Sequence, residues 1–249
     1  MGMKNKGVFS LANEIKYRRV LLKVSGEALA GDAHRGLDFS VIGQVCEVVK
    51  RCVEAGVQIG IVVGGGNFWR GLKDGGDKMQ RVRADYMGML ATAINALAVC
   101  DALEQHGVPA RVMTAVDMPR IAEPYIRDKA VRHLEKGRVV VFGCGTGNPF
   151  FSTDTGAVLK AVEIGADAIL LAKNIDGVYS ADPNKDPTAV KFDRISFDEV
   201  LARRLGVMDS TATSLAMDNH MPILVFALKD PENIYRVVSG EQIGTLVTE

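Results

Sequence analysis

Short, wholly apolar runs alternate along this chain with longer segments whose apolar residues recur every three or four positions, and that alternation predicts an α/β fold around a parallel sheet. Residues 20–24 read as a buried strand. Over residues 37–55, Ile42, Val45, Val49, Cys52 and Val53 share one helical face, with Ser40 as N-cap and Gly56 as stop. Residues 58–63 form the next strand, completing a βαβ unit whose crossover is expected to be right-handed. A polar, glycine-bearing segment after Gly64-Gly65-Gly66 predicts a mobile surface loop. Residues 83–106 predict a long helix, apolar on more than one side, as expected of a helix set between a sheet and a partner subunit. Strands follow over 111–114, 138–143, 167–172 and 223–226, and helices over 153–164, 196–205, 210–218 and 231–238. Between 116 and 136 the pattern is weak, and AVRHLEKG reads as a short helix. The turn-dense stretch 174–189 predicts a small hairpin or loop over a crevice, and GTLVTE a closing strand. Residues 1–16 lack a firm period and read as a loosely held arm, with 17–249 as a single domain.

At 249 residues the chain is long enough to bury about three quarters of its unfolded surface. Lys plus Arg equals Asp plus Glu at 30 each, so no global field draws it to nucleic acid or to a membrane. Any anion it binds must be held by local charges and backbone dipoles. Cys46, Cys52, Cys100 and Cys144 show no C-x-x-C spacing and read as reduced thiols of a cytosolic protein. No segment has the ~18 uninterrupted apolar residues of a membrane span, and the N-terminus lacks a secretory pattern.

Candidate chemistry gathers where strands meet glycines. In RVVVFGCGTGNPFFSTD an apolar strand runs into a glycine-rich turn and a hydroxyl-rich helix start, an arrangement suited to an anion at the carboxyl edge of a parallel sheet. VLLKVSGE and IGIVVGGGNFWRG repeat it upstream, which implies one shared phosphate-binding crevice. Lys23 is an ordinary snorkelling lysine if taken alone. Followed by Ser25 and Gly26, it resembles a phosphate cradle, although no Walker A sequence occurs. Three glycines after a buried strand suit close approach of backbone to a ligand, and Arg70 adds a fork for bidentate phosphate contact. Trp69 reads as packing. The run Gly143 to Pro149 fails the G-x-G-x-x-G spacing, so a dinucleotide fold is disfavoured. Thr146, Ser152 and Thr153 are donors for an anion or a base edge. Asp154 is either a magnesium-organising carboxylate or a first-turn helix acid, and Asp85 either a ribose acceptor or a first-turn acid. Lys173, Asn174 and Tyr179 place a cation, an amide and an aromatic face beside the anion site. The four histidines have no ligand-like spacing.

LLKVSGEAL, VVGGGNFWRG, DYMGMLAT, GTGNPFFSTD, DGVYSADP and GTLVTE stand in an order and spacing that resembles the bacterial uridylate kinases, within the amino acid kinase superfamily. The resemblance spans residues 17–249. It implies a three-layer αβα sandwich with a central, mostly parallel sheet, and transfer of the ATP γ-phosphoryl group to UMP in pyrimidine nucleotide biosynthesis. It further implies a cytoplasmic homohexamer, magnesium carried by ATP without direct protein ligands, UTP as an inhibitor and GTP as a candidate activator. Carried over by position, Lys23, Val24, Ser25, Gly26, Gly66, Arg70, Asn174, Tyr179 and Asp182 would hold ATP. Gly65, Asp85, Thr146, Gly147, Asn148, Pro149, Phe150, Phe151, Ser152 and Thr153 would hold UMP, with Lys23, Arg70 and Asp154 catalytic. Many relatives have a glycine after the asparagine of A-K-N, whereas Asn174 here runs directly to Ile175, which leaves Lys173 and Asn174 both open as the ATP contact. The rivals are a sibling kinase acting on a carboxylate or carbamate, and a catalytically silent nucleotide sensor on the same fold.

Overall fold

A computed structural model describes residues 15–249. The arm expected over 1–16 lies outside the described residues up to position 14. The Lys16 and Tyr17 amides both donate to the Val238 carbonyl, at 2.9 and 3.2 Å, so the chain is anchored just before its first strand.

In chain order the elements are β1 (Arg19–Val24), α1 (Gly26–Leu29), α2 (Phe39–Glu54), β2 (Gln58–Val63), α3 (Arg81–Gln105), β3 (Ala110–Thr114), β4 (Glu123–Pro124), α4 (Arg127–Glu135) and β5 (Val139–Gly143). They continue with α5 (Thr153–Ile164), β6 (Ala168–Lys173), β7 (Val178–Tyr179), β8 (Lys191–Phe192), β9 (Arg194–Ser196), α6 (Phe197–Ala202), α7 (Ser210–Asp218), β10 (Ile223–Ala227), α8 (Asn233–Val238) and β11 (Thr245–Thr248). Nine strands form one sheet in the order β4-β3-β5-β2-β1-β6-β10-β11-β9. All pairs are parallel except β10 with β11. The apolar runs predict the mostly parallel sheet, and the resemblance implies the three-layer αβα sandwich that is found.

Alternation along β1 shows how the layers form. Val20, Leu22 and Val24 join a core with residues of α2, α3 and α8, while Leu21 joins a second core with residues of α4, α5 and α7. Both faces are dry, so the strands read as unbroken apolar runs. Each fully buried leucine is worth about 1.5–3 kcal/mol relative to exposure.

Several expectations need correction. Asp38, not Ser40, caps α2, accepting from the Ser40 and Val41 amides at 2.9 and 3.3 Å. An extended residue with an acceptor two and three positions before those amides outcompetes a serine already inside the first turn. The segment after the triple glycine, expected as a mobile surface loop, contains a π-helical turn, Gly71–Gly75, and a 3₁₀ turn, Gly76–Lys78. Helix α3 begins at Arg81, which moves Asp85 out of the first turn. By length and composition α3 would also cross a membrane, but half of that stretch is buried within the protein.

Candidate active site

Because β5, β2, β1, β6 and β10 run the same way, Gly143, Val63, Val24, Lys173 and Ala227 all end at one rim. Strand β1 lies between β2, reached through α2, and β6, reached much later in the chain, so the rim opens at a switch in strand order. Ligands of open α/β sheets bind at such a point.

The turn after β1 is short because Ser25 caps α1 at once, accepting from the Ala28 amide at 3.1 Å. Gly26 is required there: a Cβ would lie 2.5 Å from Asn67 Oδ1 and 2.7 Å from the Gly64 carbonyl oxygen. The turns after β1 and β2 are thereby pressed together, with the Gly64 amide donating to the Val24 carbonyl at 2.9 Å. Arg70 ion-pairs with Glu27 of α1 and lies against Gly66, so its guanidinium stands beside both turns.

At the centre Lys23 Nζ is 2.6 Å from Asp154 Oδ1, with the two side chains only 9% and 19% exposed. The approach lacks hydrogen-bond alignment, so the attraction is chiefly Coulombic. Asp154 occupies the first turn of α5, where the helix dipole favours a carboxylate. It is thus at once a first-turn acid and the partner of Lys23. Lys173, at the end of β6, donates to the Gly206 carbonyl at 3.3 Å and to that of Val207. Burial pushes its pKa below the ordinary lysine value, an effect that Asp154 opposes and Lys23 reinforces. A second ammonium, held by backbone carbonyls and not by Asp154, thus stands near the Lys23–Asp154 pair.

Two cavities lie along this rim, and neither is lined by Lys23 or Asp154. One, of about 460 Å³, is lined by Lys173, Tyr179, Asp182, Arg203, Gly206 and Val207. The hairpin β7–β8 borders it, as the turn-dense sequence predicts. Asn174 is absent from its lining, whereas Lys173 is present. The other, of about 300 Å³, is lined by Gly65, Arg70, Asp85, Thr92, Thr146 and Phe151 among others. It adjoins an open groove reaching Phe150 and Asp209. Val24 sits on neither, being part of the apolar core, and Gly147 and Pro149 line neither cavity.

Around the second cavity the sequence-selected groups bond chiefly to one another. Asp85 accepts from Arg81 Nε at 2.8 Å and from the Phe150 amide at 2.8 Å. Asn148 N donates to Thr146 Oγ1 at 3.2 Å, closing a local turn. Ser152 caps α5, accepting from the Asp154 and Thr155 amides. Trp69, expected as packing, lines this cavity and donates from Nε1 to the Ala84 carbonyl at 2.9 Å. Asp209 escaped the sequence reading. It caps α7 while accepting from Ser152 and Thr155, so it ties two helix starts together. The only available signal was its place directly before a predicted helix. Among the described residues no three His, Cys, Asp or Glu side chains could together hold a metal ion.

Residues 18–227 match the amino acid kinase family. The chain belongs to the amino acid kinase family. It is therefore a phosphotransferase, and its similarity to solved kinases runs nearly end to end. The UMP kinase from Bacillus anthracis is 38% identical with a TM-score of 0.90, over 93% of this chain and 96% of that one. The UMP kinase from Ureaplasma parvum is 34% identical with a TM-score of 0.88, over 94% and 100%. The uridylate kinase from Archaeoglobus fulgidus is 31% identical with a TM-score of 0.72, over 92% and 99%.

Proposed function

We infer that this chain transfers the γ-phosphoryl group of ATP to UMP, giving ADP and UDP. One observation carries this: two cavities open along the same rim as the Lys23–Asp154 pair, one lined by Lys173 beside an aromatic hairpin and one beside glycine turns and a carboxylate. The similarity to three solved UMP kinases agrees with it. ATP would occupy the larger cavity against Tyr179 and Asp182, its phosphates running over Lys23, Val24, Ser25, Gly26 and Gly66. Lys173 suits the contact better than Asn174. UMP would fill the second cavity, its ribose hydroxyls donating to Asp85. Thr146 to Thr153 would surround its base and phosphate, and Arg70 would face the reacting phosphates.

In the transfer, an ionised oxygen of UMP forms a bond to the γ-phosphorus as the bond to the β-bridging oxygen breaks, leaving ADP. No base has to remove a proton, so catalysis rests on positioning and charge. Lys23 and Lys173 neutralise oxygens that approach one another, with Lys23 held by Asp154 and Lys173 by the Gly206 and Val207 carbonyls. Magnesium, carried on the phosphate oxygens of ATP, supplies further neutralisation when bound. A donor set of phosphate oxygens and water suits that ion better than this rim, where Asp154 is committed to Lys23.

Self-association, ultimately a homohexamer, is supported by the exposed apolar side of α3, where Tyr86, Leu90, Ile94 and Leu97 lie in one strip. UTP inhibition, GTP activation and a cytoplasmic, nucleic-acid-free setting complete the proposal. The test is ADP release with UMP, CMP, dUMP, aspartate, glutamate and acetylglutamate, with and without GTP and UTP. UMP should be the preferred acceptor, and turnover confined to the acids would refute the assignment.

A further inference from the structure

Helix α3 is joined to both nucleotide turns through buried polar side chains one helical turn apart. Thr92 is 2% exposed; its hydroxyl accepts from the Cys144 amide at 2.7 Å and donates to the Met89 carbonyl at 2.7 Å. Cys144 opens the turn after β5 and has a left-handed backbone, φ 65°, which a non-glycine residue keeps only when its surroundings enforce it. Asn95, fully buried, donates from Nδ2 to the Gly64 carbonyl at 2.6 Å and to Asn67 Oδ1 at 2.7 Å. Asn67 in turn donates to Asn95 Oδ1 at 3.0 Å and to the Gly36 carbonyl at 2.6 Å. The amide pair is fully engaged and reaches the turns after both β1 and β2, since Asn67 Oδ1 lies against Gly26.

Close packing reinforces these bonds. A Cβ on Gly65 would stand 2.9 Å from both Ala91 Cβ and the Gly88 carbonyl oxygen, and one on Gly143 would stand 3.4 Å from Ala93 Cα. The backbone of both turns therefore rides directly on α3. Neither Thr92 nor Asn95 offers a free donor to a ligand, so both act through the backbone they hold.

We propose that Thr92 and Asn95 are positioning residues for phosphoryl transfer, and that α3 sets the separation between the turn serving the donor phosphates and the turn serving the acceptor. This rests on the functional assignment above. A rigid helix bonded to both turns fixes their spacing within the tolerance that in-line transfer requires, and small misplacements are costly in rate. The spacing matters only once both nucleotides are aligned, so its loss falls on turnover more than on binding.

The test uses the full chain with Thr92→Val, Thr92→Ser and Asn95→Asp, in steady-state UMP phosphorylation and in hydrogen–deuterium exchange of the ligand-free protein. Valine keeps the shape of Thr92 without the hydroxyl, serine keeps the hydroxyl, and aspartate keeps the shape of Asn95 without the donor to Gly64. We expect Thr92→Val and Asn95→Asp each to lower kcat by about 10- to 100-fold with KM for both nucleotides within about threefold, and Thr92→Ser to recover most of kcat. Exchange should quicken only around 143–152 in Thr92→Val and around 64–70 in Asn95→Asp. Unchanged kcat in both variants, a serine variant as slow as the valine one, or exchange quickened throughout the chain would overturn the proposal. If the wild type ignores UMP, the functional assignment fails by itself, and the localisation of the exchange change alone decides the positioning role.

Discussion

Lys23 pairs with Asp154 while Lys173 donates to backbone carbonyls, and these unequal surroundings give the two lysines separable signatures. Removing Lys23 strands Asp154 as a largely buried anion, so Lys23→Ala should lower kcat by about 100- to 1,000-fold, as loss of a preorganised donor does. Steady-state turnover with ATP and UMP checks this, and wild-type kcat in the variant would refute the mechanism. Lys173 differs because burial lowers its pKa. Its folded pKa lies below the ordinary 10.5, so the penalty for charging it is fully present below the folded pKa and gone above 10.5. Stability attributable to this group rises with pH through that window. Activity that needs the ammonium falls through the same window. The alkaline limb of kcat/KM, which reports the free enzyme, should therefore lie below an ordinary lysine's range and move upward in Lys173→Arg. A limb that stays put in the variant would show that another group sets it.

Among the elements, legibility follows length and repetition. Helices α2, α3 and α5 and strands β1, β2 and β5 are readable because apolar positions recur over enough residues to define a period. Strands β4 and β9, two and three residues long, are not, since so short a run has no period and is selected by its neighbour in the sheet. Within the site, Lys23, Arg70 and the glycine turns are legible because strand-to-glycine junctions are local. Asp209, Thr92 and Asn95 are not, because their roles come from partners 31 to 57 positions away in sequence that only the fold brings near. The sequence does place cysteines on helices, and burial then governs their chemistry. It pushes the thiols of Cys46 and Cys52 up to about 12 and that of Cys100 up to about 11. At pH 8 the native protein should thus react slowly with a disulfide reagent at these three positions, because the thiolate is the nucleophile. All four cysteines should titrate in denaturant. Rapid native labelling of Cys46 or Cys52 would mean that α2 opens readily.

On the scale of the whole molecule, balanced charge leaves apolar surface as the main means of self-association. Tyr86, Leu90, Ile94 and Leu97 are 40 to 53% exposed, and spacings of four, four and three residues align them along α3. Such a strip is an interaction site or a liability in a soluble monomer. The opposite side of the same helix is buried and holds the two nucleotide turns, which gives the mixed apolar pattern without any membrane. Leu90→Glu changes a side chain already half in water, so it should alter the folded protomer little while placing an unpaired charge in any α3–α3 contact. In sedimentation velocity at micromolar concentration the wild type should run well above the 26.8 kDa of one chain, and Leu90→Glu should shift it toward smaller species without lowering the melting temperature of the protomer. An apolar contact would persist at high salt, unlike one made of exposed charge pairs. A wild type that sediments as a single chain would leave the strip without a partner copy and would remove the basis for the hexamer.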